Sequence, residues 1–250
     1  MDFGGYNMSQ IARWTFNESS GLLLTDSVGS NNGSLTNMVG DEWSPGKWDN
    51  ALSYDGVDDH VVLGDIFNFE RDEAFSISLW VKAPANTTTR MIFAKTSNAN
   101  PKTGYQIFFH TDNVIRVALI SSTTTGNYMQ IRAATTVVAD NTWRHVVVTY
   151  DGSSNASGLK VYIDSLDKSI IMFDALTASI VSSTPLQING RQGANLNHTG
   201  LTDEIRVFDE VISNDTIQNL FNYNSITAPG GADMGIGRVQ SKSIGLSLSK

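Results

Sequence analysis

From Ile11 to about Arg206 the chain returns again and again to one pattern, short runs of alternating apolar and polar residues closed by Gly, Asn, Asp or Ser. A period of two puts successive side chains on opposite faces of an extended strand, and the closing residues are those that tolerate tight turns. An all-β fold is expected. In Phe75-Ser76-Ile77-Ser78-Leu79-Trp80-Val81-Lys82, the residues Phe75, Ile77, Leu79 and Val81 share one face and Trp80 stands on the other. Residues 105–110 and 114–120 flank the polar Thr111-Asp112-Asn113, the length of a hairpin connection. Residues 143–150 and 158–164 read as a second hairpin across a Ser/Asn-rich loop, and runs near Leu186 and Asp203 supply late strands. Only the stretch after Ser213 has helical spacing, with Ser213 or Asn214 as N-cap and Ile217, Leu220 and Phe221 on one stripe. No strand–helix–strand alternation occurs, which excludes a parallel doubly wound sheet.

The 250 residues suffice for one β-sandwich domain, expected over residues 1–225. Residues 226–250 change texture: Thr227 to Gly237 has linker composition, and Ile244, Leu246 and Leu248 then alternate in a strand-like tail too small to fold alone. That tail suits addition to a neighbouring subunit's sheet, so the expected partners are other subunits of a larger assembly, including copies of this chain. With 17 basic against 25 acidic residues the net charge is -8, which disfavours nucleic acid and anionic lipid as partners. No stretch is apolar for long enough to insert into a membrane, and Met1 to Tyr6 lack the features of an export signal. The absence of cysteine removes disulfides, thiolate metal sites and a cysteine nucleophile together.

Three segments carry a resemblance. They are Ala12-Arg13-Trp14-Thr15-Phe16 with the loop from Asp26 to Leu35, then Ala51 to Val61 leading into the Phe75 strand, and last Asp203-Glu204-Ile205-Arg206-Val207-Phe208 with the helix behind it. With Trp143-Arg144-His145-Val146 between them, their order resembles the concanavalin A-like, laminin G-like family of jelly-roll domains over about residues 9–224. The resemblance implies a two-sheet antiparallel jelly-roll sandwich with one short C-terminal helix, one concave sheet, and rim loops that often hold calcium or carbohydrate. It further implies that Asp26, groups near Asn31, and Asp203 converge on a structural calcium ion. An alternative ion site is the rim loop carrying Asp55, Asp58 and Asp59, and the competing reading of all these residues is that they cap turns.

Catalysis is not expected. The paired carboxylates that glycosidases on such folds require are absent; Glu70, Asp72 and Glu73 come nearest but sit in a turn. His60, His110, His145 and His198 are scattered without metal-binding spacing, and His145 suits a hydrogen-bonded core position. No catalytic residue is assigned. Sugar recognition instead needs exposed aromatic rings beside amides. Trp43, Trp48 and Tyr128 are the candidates for it, whereas Trp14, Trp80 and Trp143 read as packing residues and Tyr105 stays open. These features lead to the expectation of a non-enzymatic lectin-like module that binds carbohydrate or a host surface. The tail and the family analogy place it on a virion surface, such as a phage decoration or fibre protein; a secreted bacterial adhesion module is the alternative.

Overall fold

A computed structural model describes residues 10–134 and 138–223, so Ile244, Leu246, Leu248 and the rest of the tail lie outside the described residues. The strands are Gln10–Trp14 (β1), Leu23–Leu24 (β2), Gly33–Thr36 (β3), Trp43–Pro45 (β4), Asn50–Asp55 (β5), His60–Gly64 (β6), Phe75–Lys82 (β7) and Arg90–Lys95 (β8). They continue as Gly104–Phe109 (β9), Ile115–Ser122 (β10), Asn127–Ala133 (β11), Arg144–Tyr150 (β12), Leu159–Ile163 (β13), Leu166–Asp167 (β14), Ser169–Asp174 (β15), Leu186–Ile188 (β16) and Thr199–Phe208 (β17). One helix, Asn214–Phe221 (α1), follows.

Every strand pairing is antiparallel, and the strands form two sheets. The first runs β14-β13-β12-β7-β17-β5-β4, with β1 paired to the C-terminal half of β17; the second runs β15-β11-β10-β9-β8-β16-β6-β3-β2. The alternation dictates how they stack. Phe75, Ile77, Leu79 and Val81 of the first sheet meet Tyr105, Ile107, Phe109, Ile115, Val117 and Leu119 of the second in one continuous core. Trp14 and Phe93 are buried completely in it, each at a gain of about 2–3 kcal/mol relative to exposure.

The two sheets then differ in what covers their outer faces. Trp80 does point away from the core, yet it is buried, because α1 lies across the outside of the first sheet. The Ser213 hydroxyl caps α1 by accepting the Thr216 N–H at 3.1 Å, which fixes where the helix starts. Ile217 and Leu220 pack onto Val147, Phe208 and Ile212, and Phe221 stacks on Trp80. Among the described residues no helix covers the outer face of the second sheet. Among the described residues no helix is long and apolar enough to cross a membrane.

Candidate functional site

On the second sheet, the residues facing away from the core line up across six strands. Gln187 of β16 pairs with Ala94 of β8, which pairs with Gln106 of β9, then Ala118 of β10, Gln130 of β11 and Phe173 of β15. Three amide side chains therefore alternate with two methyl groups along one row. An amide offers both donors and an acceptor; Gln187, Ala94, Gln106 and Ala118 are buried, and Gln130 at the end of the row stays partly exposed. Beside the row, Tyr128 stacks on Phe173 with ring centroids 4.3 Å apart. Both rings keep solvent exposure, Tyr128 in part and Phe173 at 38%.

Two loops fold over one end of this face. Residues 96–103 and 189–198 meet where Asn98 N–H donates to the Gln192 carbonyl at 2.8 Å. The second loop is held from below by buried amides: Asn189 Nδ2 donates to the carbonyls of Asp59 and His198, and Asn197 Nδ2 to those of Asp59 and Asn189. Its Arg191 reaches back over the row, donating to Gln106 Oε1 at 3.4 Å and to Asn98 Oδ1 at 2.7 Å. A cavity of about 190 Å³ opens there, lined by Asp58, His60, Gln187, Arg191 and Asn197 among others. A wider depression bounded by Ser97, Asn98, Thr184 and Gln192 adjoins it along Gln192 and Gly193.

The aromatic residues expected to hold sugar do not come together. Tyr128 lies on the open face, but Trp43 and Trp48 belong to the other sheet's side. Trp43 donates its indole N–H to the Gly21 carbonyl and packs against the core. Trp48 sits edge-on to Trp80 at 4.9 Å and to Tyr223 at 5.8 Å, with the Lys47 ammonium 4.3 Å from the Trp80 ring. This cluster, with His145 and Leu220, closes so tightly that no water-sized space is left inside it, so Trp48 packs there as a brace of the fold. Tyr105 is buried, its hydroxyl on the Phe67 carbonyl.

Of the expected ion ligands, Asp26 and Asn31 come together as acceptor and donor. Asp26 is saturated by donors: its Oδ1 accepts the N–H groups of Arg13, Val28 and Gly29, and its Oδ2 accepts the backbone and side-chain N–H groups of Asn31. Burial works to raise its pKa, but these hydrogen bonds outweigh it and hold the carboxylate below the ordinary range. Five N–H dipoles aimed at one carboxylate repel a cation, so Asp26 and Asn31 do not fit a calcium site; they tie the loop to β1.

Asp203 is engaged elsewhere, on the N–H groups of Lys47 and Trp48 at 2.9 and 3.0 Å. Gly46 makes that wrap possible, since a Cβ there would meet Asp203 Oδ2 at 2.8 Å and the Asn50 carbonyl at 2.5 Å. Burial, reinforced by the charge of Glu204, pushes the Asp203 carboxyl up to about 8 against those two hydrogen bonds.

The alternative rim set does fit a hard cation. Asp55, Asp58 and Asp59 each bring one carboxylate oxygen to within 4.8 Å of the others. Burial, then the negative charges of Asp55, Glu42 and Asp58, raise the Asp59 pKa. A cation would relieve that repulsion.

Sequence reasoning missed Arg191 and the glutamine row. The row could be found only by knowing strand register, and Arg191 lies in a loop with no periodicity.

A family model described as the concanavalin A-like lectin/glucanases superfamily, of laminin G type, matches residues 55–218. No curated protein matches the chain significantly in sequence. Among solved structures, the binding domain of Paraclostridial Mosquitocidal Protein 1 superposes with a TM-score of 0.68 at 14% identity, over 86% of this chain and 52% of that one. The botulinum neurotoxin serotype D binding domain gives 0.62 at 17% identity, over 86% and 51%. Trypanosoma rangeli sialidase, solved with sialic acid, gives 0.63 at 12% identity, over 85% and 32%. The chain thus spans about half the length of the toxin binding domains and a third of the sialidase, and at these identities the likeness shows the fold alone. With the sandwich, its register and the match over residues 55–218 together, the chain belongs to the laminin G-like family of the concanavalin A-like lectin/glucanases superfamily.

Proposed function

We propose that this chain is a non-enzymatic recognition module that binds carbohydrate on the outer face of its nine-stranded sheet. The observation that carries this reading is the partly exposed Gln130 beside the Tyr128–Phe173 pair, at the open end of the otherwise buried Gln187–Ala94–Gln106–Ala118 row. Amides bond hydroxyls bidentately, and an exposed ring stacks on a pyranose face. Binding without turnover is supported by the chemistry of that row, which presents amides, methyl groups and rings where a glycosidase needs two opposed carboxylates. The likeness to two toxin binding domains adds weight to it; the sialidase is the contrary example.

A glycan array probed with the full chain tests the reading. We expect retention of at least one saccharide class, and a loss of about tenfold, equivalent to ~1.4 kcal/mol, in Tyr128→Ala and in Gln130→Ala, both partly exposed and so without damage to the core. Binding unchanged in both variants would refute the placement.

Calcium belongs to the same proposal as a structural ion on Asp55, Asp58 and Asp59, fixing the rim beside the cavity. Adding calcium at about 100-fold over its Kd is expected to stabilise the fold by about 2.7 kcal/mol, a rise of several degrees in Tm. In Asp58→Asn that rise should vanish. Equal melting curves in calcium and chelator for the parent chain would exclude the ion.

Display on a larger assembly, by addition of the Ile244, Leu246 and Leu248 segment to a neighbour's sheet, completes the proposal and keeps the virion surface as its setting, with an extracellular adhesion module as the alternative. Co-purification of the chain with a particle, lost on deleting residues 226–250 while saccharide binding persists, is the supporting result.

A further inference from the structure

Arg191 is 7% exposed, and no carboxylate pairs with it among the described residues. Its neighbours are neutral: Gln106 Oε1 at 3.4 Å is a long contact, Asn98 Oδ1 at 2.7 Å a good one, and Nε has no partner. A guanidinium carries five N–H donors, so most of its capacity is unspent. Burying a cation without a counter-charge is costly, and proteins ordinarily avoid it by pairing. A second cation adds to the cost. Lys102 lies close enough for Arg191 to help burial lower its pKa, and Arg191's own is lowered by burial.

Arg191 therefore stands, in a chain of net charge -8, in the lining of a cavity of about 190 Å³ whose other walls are mostly amides, His60 and loop backbone. Only Asp58, of the rim triad, brings negative charge to the lining. Asp58 forms no ion pair with Arg191. The guanidinium fork matches a carboxylate or sulfate in two parallel hydrogen bonds, and Gln187, Asn197 and Asn37 are placed around the same cavity to take the hydroxyls that accompany it.

We propose that Arg191 is the anion-binding anchor of the sugar site and that the module selects acidic saccharides over neutral ones. The proposal rests on the carbohydrate-binding reading above and deepens it by naming the ligand class. Discrimination follows from desolvation: a neutral sugar leaves the buried cation unpaired, whereas a carboxylate satisfies it.

The test uses the full chain in titrations with glucuronic acid and N-acetylneuraminic acid, with glucose and galactose as neutral probes, and with inorganic sulfate as the free anion. We expect the acidic sugars to bind at least tenfold more tightly than the neutral ones, with affinity falling as salt rises. Arg191→Met should lose at least tenfold for the acidic sugars and erase their preference over the neutral ones. Should that variant fail to fold, Lys102→Glu, at a partly exposed position, reads the same field and should weaken acidic sugars several-fold.

Equal affinity for acidic and neutral sugars, with both variants unaltered, overturns the anchor while leaving the recognition module standing. Sulfate binding as tightly as the acidic sugars overturns the saccharide assignment. No saccharide bound at all overturns both proposals.

Discussion

Replacing Glu204 with alanine is expected to destabilise the fold by about 3–5 kcal/mol at pH 7. Glu204 sits on the bulge where β17 changes register against β7, between Asp203 and Arg206, and it takes a left-handed backbone with φ of 49°. That kink turns its carboxylate toward two cations. Arg13 donates to it twice, from Nε at 3.2 Å and Nη2 at 3.0 Å, and Arg206 Nη2 donates at 2.9 Å. Tyr223 covers both guanidinium groups, with Cζ atoms 5.6 and 5.1 Å from its ring centre.

All three charged side chains are at least nine-tenths buried, so removing Glu204 breaks both buried pairs and sets the two guanidinium groups against each other. Glu204→Gln should cost nearly as much, since the amide keeps the shape and loses the charge. Replacing the whole triad with Met and Leu should recover most of the loss, because the desolvation penalty disappears with the charges. Urea unfolding of the three variants measures this. A cost below about 1 kcal/mol for Glu204→Ala would show that water reaches the cluster and that the bulge serves another purpose.

The bulge also marks the boundary of what could be read from sequence. Alternation over residues 75–82 revealed both faces of β7, and the Ser213 cap located α1. It could not reveal that the outward face of β7 would be roofed by the helix, because that depends on a connection from Phe208 back across the sheet. Trp80 was therefore legible as outward and as a packing residue, but not as one packed under a helix. Asp26 was legible as a loop organiser, but choosing between an ion and five N–H donors requires knowing where the Arg13 and Gly29 amides point.

Ser169–Asp174 carries Ile170, Ile171, Met172 and Phe173 in succession, with no alternation to announce a strand. Its place at the sheet edge explains this, since both of its faces retain exposure and neither is selected to be polar. The binding face depended on register above all. Gln106 and Gln130 are 24 positions apart and become neighbours in one row only through the Ala118 pairings on either side.

The stability of this fold is expected to pass through a maximum near pH 6.5, and three buried groups set that shape. His145, between Trp80 and Phe221 with Nε2 on the Ser78 hydroxyl, is pushed down to about 3 by burial and then by the charges of Arg206 and Lys47. His198, against Tyr54 and Phe109, is pushed down to about 3 by burial, with Arg90 contributing. Both stay neutral in the fold while the unfolded chain takes up their protons below about pH 6.5.

Their contribution is therefore complete above that pH and drains away as pH falls toward 3. Asp203 works in reverse. Its carboxyl titrates at about 8 in the fold and near 3.8 when unfolded, so its contribution is complete in acid and is lost as pH rises through 8. Between pH 4 and 6.5 the two histidines outweigh the one carboxyl by a single proton, giving a fall of about 1.4 kcal/mol per unit toward acid. Between 6.5 and 8 only Asp203 remains, and the slope reverses at a similar magnitude.

Asp203→Asn keeps a carbonyl oxygen for the Lys47 and Trp48 N–H groups and removes the titration. It should abolish the alkaline limb and roughly double the steepness of the acid limb. Unfolding free energies at pH 5, 6.5 and 8 for the parent and Asp203→Asn decide the matter: an alkaline loss that survives in the variant would show that Asp203 is ionised in the fold and that its unpartnered Oδ1 finds compensation.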